Sequence, residues 1–164
     1  KAKDVKEEFG NKIKYILDGG ACAIGIESTI VNLIGRPSIL RLGGLDILKI
    51  QKTLGFKISI SINPKKKIAP GQSRLHYSPG IPLRMNVTKP KNDEAFIIIK
   101  RKKIKLKNYF YLTNKNNLNE AAKNLYSCLR IIKNEGYKSI AVEKIPNKGL
   151  GKAINDRLRR ASKY

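Results

Sequence analysis

The sequence is poor in several residue types, and each shortage excludes a class of protein. Two cysteines, Cys22 and Cys128, lie far apart among 164 residues, which excludes a disulfide framework and the common zinc spacings. No apolar run approaches the roughly 20 residues that a membrane helix needs. The first residues are charged, so we do not interpret them as a signal peptide. These shortages predict a cytoplasmic chain with no membrane partner.

Acidic residues are also scarce. Twelve Asp and Glu residues face 35 Lys and Arg residues, which gives a formal net charge of +23. Hydrophobic residues reach 41%, enough to bury a core. The charge is compatible with a nucleic-acid partner. It is equally compatible with compositional drift, because Lys and Ile, at 26 and 23 residues, both have AT-rich codons.

The charge and the turn-forming residues divide the chain into three parts. Residues 1–63 carry a net charge of +4, whereas residues 82–164 carry +15. Residues 64–82 hold four prolines and two glycines, which excludes a continuous helix or a central strand. The pattern predicts a first α/β part at 1–63, an ordered linker at 64–82 and a second α/β part at 83–164.

Short apolar segments separated by turns indicate α/β structure in the first part. The predicted elements are the end of a helix at Asp4–Phe9, strands at Ile13–Leu17, Thr29–Leu33 (buried), Ile39–Arg41 and Lys57–Ile62, and a helix at Ile47–Leu54 capped by Asp46.

The second part alternates strands and helices more regularly. The predicted elements are strands at Ala95–Ile99, Tyr109–Leu112 and Ile140–Val142, and helices at Leu118–Asn134 and Lys152–Ala161. This order favours parallel strands with right-handed crossovers, as in a small Rossmann-like layer.

Motifs considered one at a time leave alternatives open. Asn147–Lys152 is glycine-rich but lacks the spacing of a phosphate-binding loop, so a simple turn before a helix is favoured. His76 is the only histidine, and a general-base role for it would need further support. Lys100–Lys107 is interpreted as a hairpin turn that is either solvated or in contact with RNA phosphates. Glu27–Thr29 is either a catalytic cluster or the entry to a strand.

Five segments taken together carry a resemblance to a known family. Ile16–Leu33 resembles the ILDGG…GIESTVVDL signature of the YrdC-like fold, and Ser38–Gly44 resembles the family's ILRPGG turn. Ala69–Pro79 is similar to its linker motif APGMKYRHYAP. Asn119–Gly136 and Gly149–Arg160 resemble its C-terminal domain. The chain thus resembles the two-domain form of threonylcarbamoyl-AMP synthase over essentially its whole length.

The resemblance implies a fold and a reaction. The fold would be the C-terminal part of a YrdC-like twisted α/β sheet, followed by an ordered Pro/Gly-rich linker and a small Rossmann-like domain. Family members combine ATP, with Mg²⁺, and threonine and bicarbonate into threonylcarbamoyl adenylate and pyrophosphate. Other proteins then use the product to modify the adenosine next to the anticodon of tRNA.

The resemblance also implies roles for individual residues. Ser28, with Thr29 beside it, would bind the threonine substrate, and Arg41 would contact an ATP phosphate. Tyr77 and His76 lie in the linker that crosses the mouth of the site, where they would contact the nucleotide. No catalytic residue and no protein ligand for a metal is implied.

The resemblance begins part-way through the family's synthase domain. We therefore expect the chain alone to present one wall of the pocket, and to be active only with the N-terminal half joined to it or supplied in trans. An inactive remnant of a split gene and a basic RNA-binding module are the two alternatives.

A half-built sheet should expose strand edges and apolar faces, which loosens its structure. We predict that backbone amides in residues 1–63 exchange with deuterium much faster than those in residues 90–160. Mass spectrometry of labelled peptides measures this difference, and equal protection of the two regions would contradict it.

Overall fold

The computed structural model describes residues 1–64, 66–73, 77–100 and 106–163, and over these ranges the chain forms four α-helices and two β-sheets. In chain order the elements are α1 (Ala2–Phe9), β1 (Ile30–Asn32), β2 (Ser38–Arg41), α2 (Ile47–Leu54), β3 (Ser59–Ile60), β4 (Leu83–Arg84), β5 (Glu94–Lys100), β6 (Tyr109–Thr113), α3 (Leu118–Asn134), β7 (Ser139–Val142) and α4 (Gly151–Ala161). A short 3₁₀ turn, Gly10–Lys12, follows α1. None of these helices combines the length and the apolar character needed to cross a membrane.

The two sheets differ in their strand directions. The first has the order β1-β2-β3, with β1 antiparallel and β3 parallel to β2. The second has the order β4-β7-β5-β6, and every pair in it is parallel. The almost continuous apolar sequence of β5 is typical of a strand in a parallel sheet covered on both faces. The prediction of a mixed α/β fold with a small parallel layer is confirmed.

Local signals place two of the helices well. Asp46 Oδ1 accepts a hydrogen bond from Leu48 N at 3.0 Å at the start of α2, and Gly55 ends that helix in the left-handed region. Asn117 Oδ1 accepts from Asn119 N at 2.8 Å and caps α3 in the same way. The apolar side chains of α3 recur at helical spacing and are buried against the second sheet.

One hydrophobic core joins both parts of the chain. Its buried members come from the first part and from the second, and they include Ile39, Leu42, Ile47, Ile58, Ile97, Leu125, Ile154 and Leu158. Twelve of the fifteen large hydrophobic side chains found exposed lie within residues 1–60. The first part therefore packs on the second while leaving another apolar surface in solvent.

Three sequence predictions are corrected. Ile13–Leu17 is not a strand: it pairs with no described strand, and Leu17 is 96% exposed. Thr29–Leu33 is only partly a buried strand, since β1 is half-buried and Leu33 is 71% exposed. Lys100–Lys107 does not join a hairpin, because β5 and β6, which flank it, are parallel. Its residues 101–105 lie outside the described ranges.

We predict that Leu125→Ala lowers the free energy of unfolding by about 2–5 kcal/mol, because it removes buried methyl groups and leaves a cavity. The matched control is Leu17→Ala, whose side chain is 96% exposed, and it should change the free energy by less than about 0.5 kcal/mol. Urea unfolding followed by circular dichroism measures both. Equal effects of the two substitutions would contradict the described core.

Candidate functional site

An ion pair between the two parts of the chain lies at the centre of the candidate site. Arg157 of α4, whose side chain is 1% exposed, donates from Nε to Glu27 Oε2 at 3.0 Å, and its Nη2 lies 2.9 Å from the same oxygen. Nη2 also donates to the carbonyl oxygen of Leu42 at 2.7 Å. The guanidinium presents several donors in a fixed plane, so one side chain can hold both segments.

A second buried arginine extends the network toward the linker. Asp156 Oδ2 accepts from Arg157 Nη1 at 2.9 Å and from Arg160 Nε at 3.1 Å. Arg160 in turn donates to the carbonyl oxygens of Ile62 at 2.8 Å and Ser73 at 3.3 Å. Each buried cation is thus matched by a carboxylate and by backbone acceptors, as burial of charge requires.

Ser28 and Arg41, both predicted from the resemblance, are brought together. Arg41 Nε donates to the carbonyl oxygen of Ser28 at 3.0 Å, and Arg41 Nη2 donates to Ser28 Oγ at 3.1 Å. Ser28 is exposed, so a small molecule can reach its hydroxyl. Because Oγ accepts from Arg41, its own proton can be donated to a further acceptor.

Thr29 has a different environment. Its Oγ1 donates to the carbonyl oxygen of Leu45 at 2.8 Å and accepts from Leu45 N at 3.2 Å. Its hydroxyl therefore closes the loop after β2. Gly43 permits this close approach, because a Cβ at that position would lie 2.2 Å from Thr29 N.

The linker is fixed to the first sheet by a buried amide. Gln72, 4% exposed, donates from Nε2 to the carbonyl oxygen of Leu40 at 3.1 Å. Its Oε1 accepts from Ile68 N at 2.9 Å and from Ala69 N at 3.1 Å. This glutamine therefore holds the start of the linker against β2, the strand that carries Arg41.

Tyr77 lies where the linker meets the two helices of the second part. Its ring stacks on Tyr126 of α3 with centroids 5.7 Å apart, and the guanidinium of Arg157 lies 4.9 Å from its centroid. Its hydroxyl and Arg41 Cδ both lie close to Gly71, where a Cβ would be 2.7 Å from the first and 3.1 Å from the second. Tyr77 also has a φ of 71°, which is uncommon for a residue with a side chain.

The pKa values of this cluster reflect burial and charge pairing. Burial alone would raise the pKa of Glu27, but the charge and hydrogen bonds of Arg157 outweigh it and lower that pKa below 4.5. Burial raises the pKa of Tyr77 to about 12 and also raises that of Tyr126, where the negative Glu27 adds to the effect. At neutral pH the cluster therefore contains a carboxylate, a guanidinium and two neutral phenols.

Tyr77 and Tyr126 also line a cleft of about 320 Å³ between α1, the linker and α3. Asp4 and Arg130, which form an ion pair at 3.0 Å, also line this cleft. Among the described residues, no group of three or more His, Cys, Asp and Glu side chains could hold a metal ion.

The outcome for the predicted site residues is mixed. Ser28, Arg41 and Tyr77 lie on neighbouring segments, Thr29 is bonded to Leu45, and His76 lies outside the described residues.

Sequence reasoning missed the supporting side chains, above all Arg157, Tyr126 and Asp156. A signal existed for Arg157. It occupies the same helical face as the buried Ala153 and Ile154, where a charge requires a partner.

Comparisons with known proteins cover the whole chain. Residues 44–163 match a family model described as "Threonylcarbamoyl-AMP synthase, C-terminal domain", and residues 1–43 match one described as "Telomere recombination". The threonylcarbamoyl-AMP synthase of Pyrococcus abyssi is 33% identical over 186 residues, covering 99% of this chain and 53% of that protein. The Schizosaccharomyces pombe enzyme of the same name is 31% identical over 195 residues, covering 98% and 48%.

A solved structure agrees with these matches. The crystal structure of P. abyssi Sua5 complexed with L-threonine superposes with a TM-score of 0.82 at 32% identity, covering 98% of this chain and 53% of that one. The chain therefore spans about half the length of the relatives it matches.

We predict that acid weakens the fold partly through Glu27. Because its folded pKa lies below the unfolded value of 4.5, the carboxylate contributes stability above pH 4.5, and this contribution is lost as the pH falls through the folded pKa. Glu27→Gln should therefore be less stable than the wild type at pH 7, and the difference should shrink below pH 4.5. Thermal unfolding between pH 7 and pH 3 measures it.

The control for this prediction is Glu8→Gln, which removes an exposed carboxylate on α1. It should follow the wild-type pH profile. A Glu27→Gln difference that stays constant from pH 7 to pH 3 would contradict the pairing with Arg157.

Proposed function

The chain belongs to the threonylcarbamoyl-AMP synthase family, and we propose that it forms one wall of a site that makes threonylcarbamoyl adenylate. The substrates would be ATP, L-threonine and bicarbonate. The observation that carries the proposal is the contact between the Arg41 guanidinium and the exposed Ser28 hydroxyl, beside the linker residue Tyr77. The opposite wall would come from the remaining half of the synthase, either in the same polypeptide or as a separate chain.

The proposed chemistry is a nucleotidyl transfer. The amine of threonine combines with bicarbonate to give a carbamate, with loss of water. A carbamate oxygen then attacks the α-phosphorus of ATP, a new P–O bond forms, and the bond to pyrophosphate breaks as pyrophosphate leaves. Such a step is accelerated mainly by holding the reactants in line and by fixed cations near the phosphoryl oxygens.

Arg41 is suited to the cationic role. The guanidinium has five N–H donors, and Ser28 accepts from two of them, so the plane of the group is fixed before a nucleotide arrives. A planar cation held in this way would meet an ATP phosphate with little loss of conformational entropy. The Ser28 proton would be donated to a carboxylate or carbamate oxygen of the threonine substrate. Thr29 would support this contact through its two bonds to Leu45.

Tyr77 would contact the nucleotide from the linker, as would His76. At neutral pH the Tyr77 phenol is protonated, because burial raises its pKa to about 12, so it would add no negative charge beside the nucleotide. Mg²⁺ would enter as the MgATP substrate, bound by the phosphates. The relative crystallised with L-threonine supports threonine as the second substrate of this chain.

The product would be used in the cytoplasm by other proteins that modify tRNA. A formal net charge of +23 supports contact with RNA or with a complex that contains it. We expect that contact to weaken steeply with salt, because it would be made mainly by lysines and arginines at phosphates.

The test is pyrophosphate release from ATP, Mg²⁺, threonine and bicarbonate. It is measured for the chain alone and with the N-terminal half of the P. abyssi relative added in trans. We expect threonine-dependent release in the second case. Arg41→Gln should lower that rate by about 10²- to 10³-fold, the usual effect of removing one electrostatic contact in the transition state.

The matched control is Arg36→Gln, which removes an exposed arginine from the turn between β1 and β2. It should leave the rate unchanged. If no pyrophosphate is released, either with or without the N-terminal half, the result would favour the inactive remnant. Tight tRNA binding at 200 mM salt, by a protein that releases no pyrophosphate, would favour the RNA-binding module. Binding through roughly half a dozen phosphate contacts is already weakened strongly at that salt concentration.

A further inference from the structure

Arg157 contacts three separate segments that precede the second part of the chain. It binds the Glu27 carboxylate at 3.0 Å and the Leu42 carbonyl oxygen at 2.7 Å, and its guanidinium lies 4.9 Å from the centre of the Tyr77 ring. These segments are the approach to β1, the end of β2 and the linker. One buried side chain of the last helix therefore fixes the relative positions of all three.

The same three segments carry the residues of the proposed site. Ser28 follows Glu27 directly, and Arg41 directly precedes Leu42. Tyr77 belongs to the site itself. A displacement of Arg157 would therefore change the distances among all three site residues at once.

Tyr126 supplies a second support from α3. Its hydroxyl lies 3.3 Å from both oxygens of Glu27, and its ring stacks on Tyr77 at 5.7 Å. Glu27 is thus held by one residue from each of the two helices, and Tyr77 packs against the same two residues. The α3 and α4 helices therefore act on the site through the same two residues, Glu27 and Tyr77.

The position requires an arginine and not only a positive charge. Arg157 bonds to Glu27, Asp156 and the Leu42 carbonyl through different nitrogens of one plane. A lysine has a single ammonium group, which cannot satisfy three acceptors in that arrangement from one buried position.

We propose a positioning role for Arg157, Glu27 and Tyr126. Together they set the distances among Ser28, Arg41 and Tyr77. The second part of the chain would then organise the nucleotide and threonine site from behind, through α3 and α4. The effect of this positioning on catalysis rests on the proposed function. The positioning itself can be measured without substrate.

The experiment compares amide deuterium exchange in wild-type protein, Arg157→Lys and the matched control Arg159→Lys. Arg159 lies on the same helix and is exposed. In Arg157→Lys we expect residues 25–30 and 40–45 to exchange at least about tenfold faster, because a charge-assisted network is lost. Strands β5, β6 and β7 should exchange as in the wild type, as should all of Arg159→Lys.

A second variant covers the case in which Arg157→Lys loosens the whole protein. Tyr126→Phe removes one hydroxyl and keeps the ring, and it should speed exchange in residues 25–30 by roughly 2- to 10-fold, the factor carried by one hydrogen bond. Two results together would overturn the proposal. In Tyr126→Phe, residues 25–30 would exchange at the wild-type rate. In Arg157→Lys, exchange would either equal that of the wild type or be faster throughout the chain.

MgATP binding, measured by calorimetry with the N-terminal half present, separates this proposal from the proposed function. We expect Arg157→Lys to bind at least about tenfold more weakly than Arg159→Lys. Equal affinities of these two variants would overturn the positioning role while the proposed function stands. If the wild type binds no MgATP, the proposed function fails, and the local exchange result alone decides whether Arg157 positions these segments.

Discussion

The rest of this structure depends on one buried cation. Arg157 is 1% exposed, so its charge is tolerable only because Glu27, Asp156 and the Leu42 carbonyl surround it. Removing one partner of a buried pair is strongly destabilising, since the other charge is left uncompensated. The ion pair therefore couples the two parts of the chain more strictly than apolar packing does, because it accepts only one arrangement.

Much of the fold could be predicted because its signals are local. Asp46, Gly55 and Asn117 define helix ends through caps that any reader of the sequence can recognise, and the apolar spacing of α3 marks its buried face. The strand predicted at Ile13–Leu17 failed for the opposite reason. An apolar segment forms a strand only where another strand offers hydrogen bonds, and that depends on tertiary structure.

The site shows the same division. A resemblance that spans consecutive motifs predicts Ser28, Arg41 and Tyr77 as site residues, and the first two are in direct contact. Tyr126 and Arg157 were missed because their partner, Glu27, lies 99 and 130 positions away. No local pattern reports such a distance. Only the unusual position of a charge on the buried face of α4 hinted at Arg157.

That separation also has a consequence in time. A ribosome adds about 5–20 residues per second, so roughly 7 to 26 s pass between the synthesis of Glu27 and that of Arg157, 130 positions later. Throughout this interval the carboxylate lacks the Arg157 guanidinium, and the apolar side chains around Leu42 have no α4 to cover them. The ion pair and the packing of the first part on α4 can therefore form only after that helix has emerged from the ribosome.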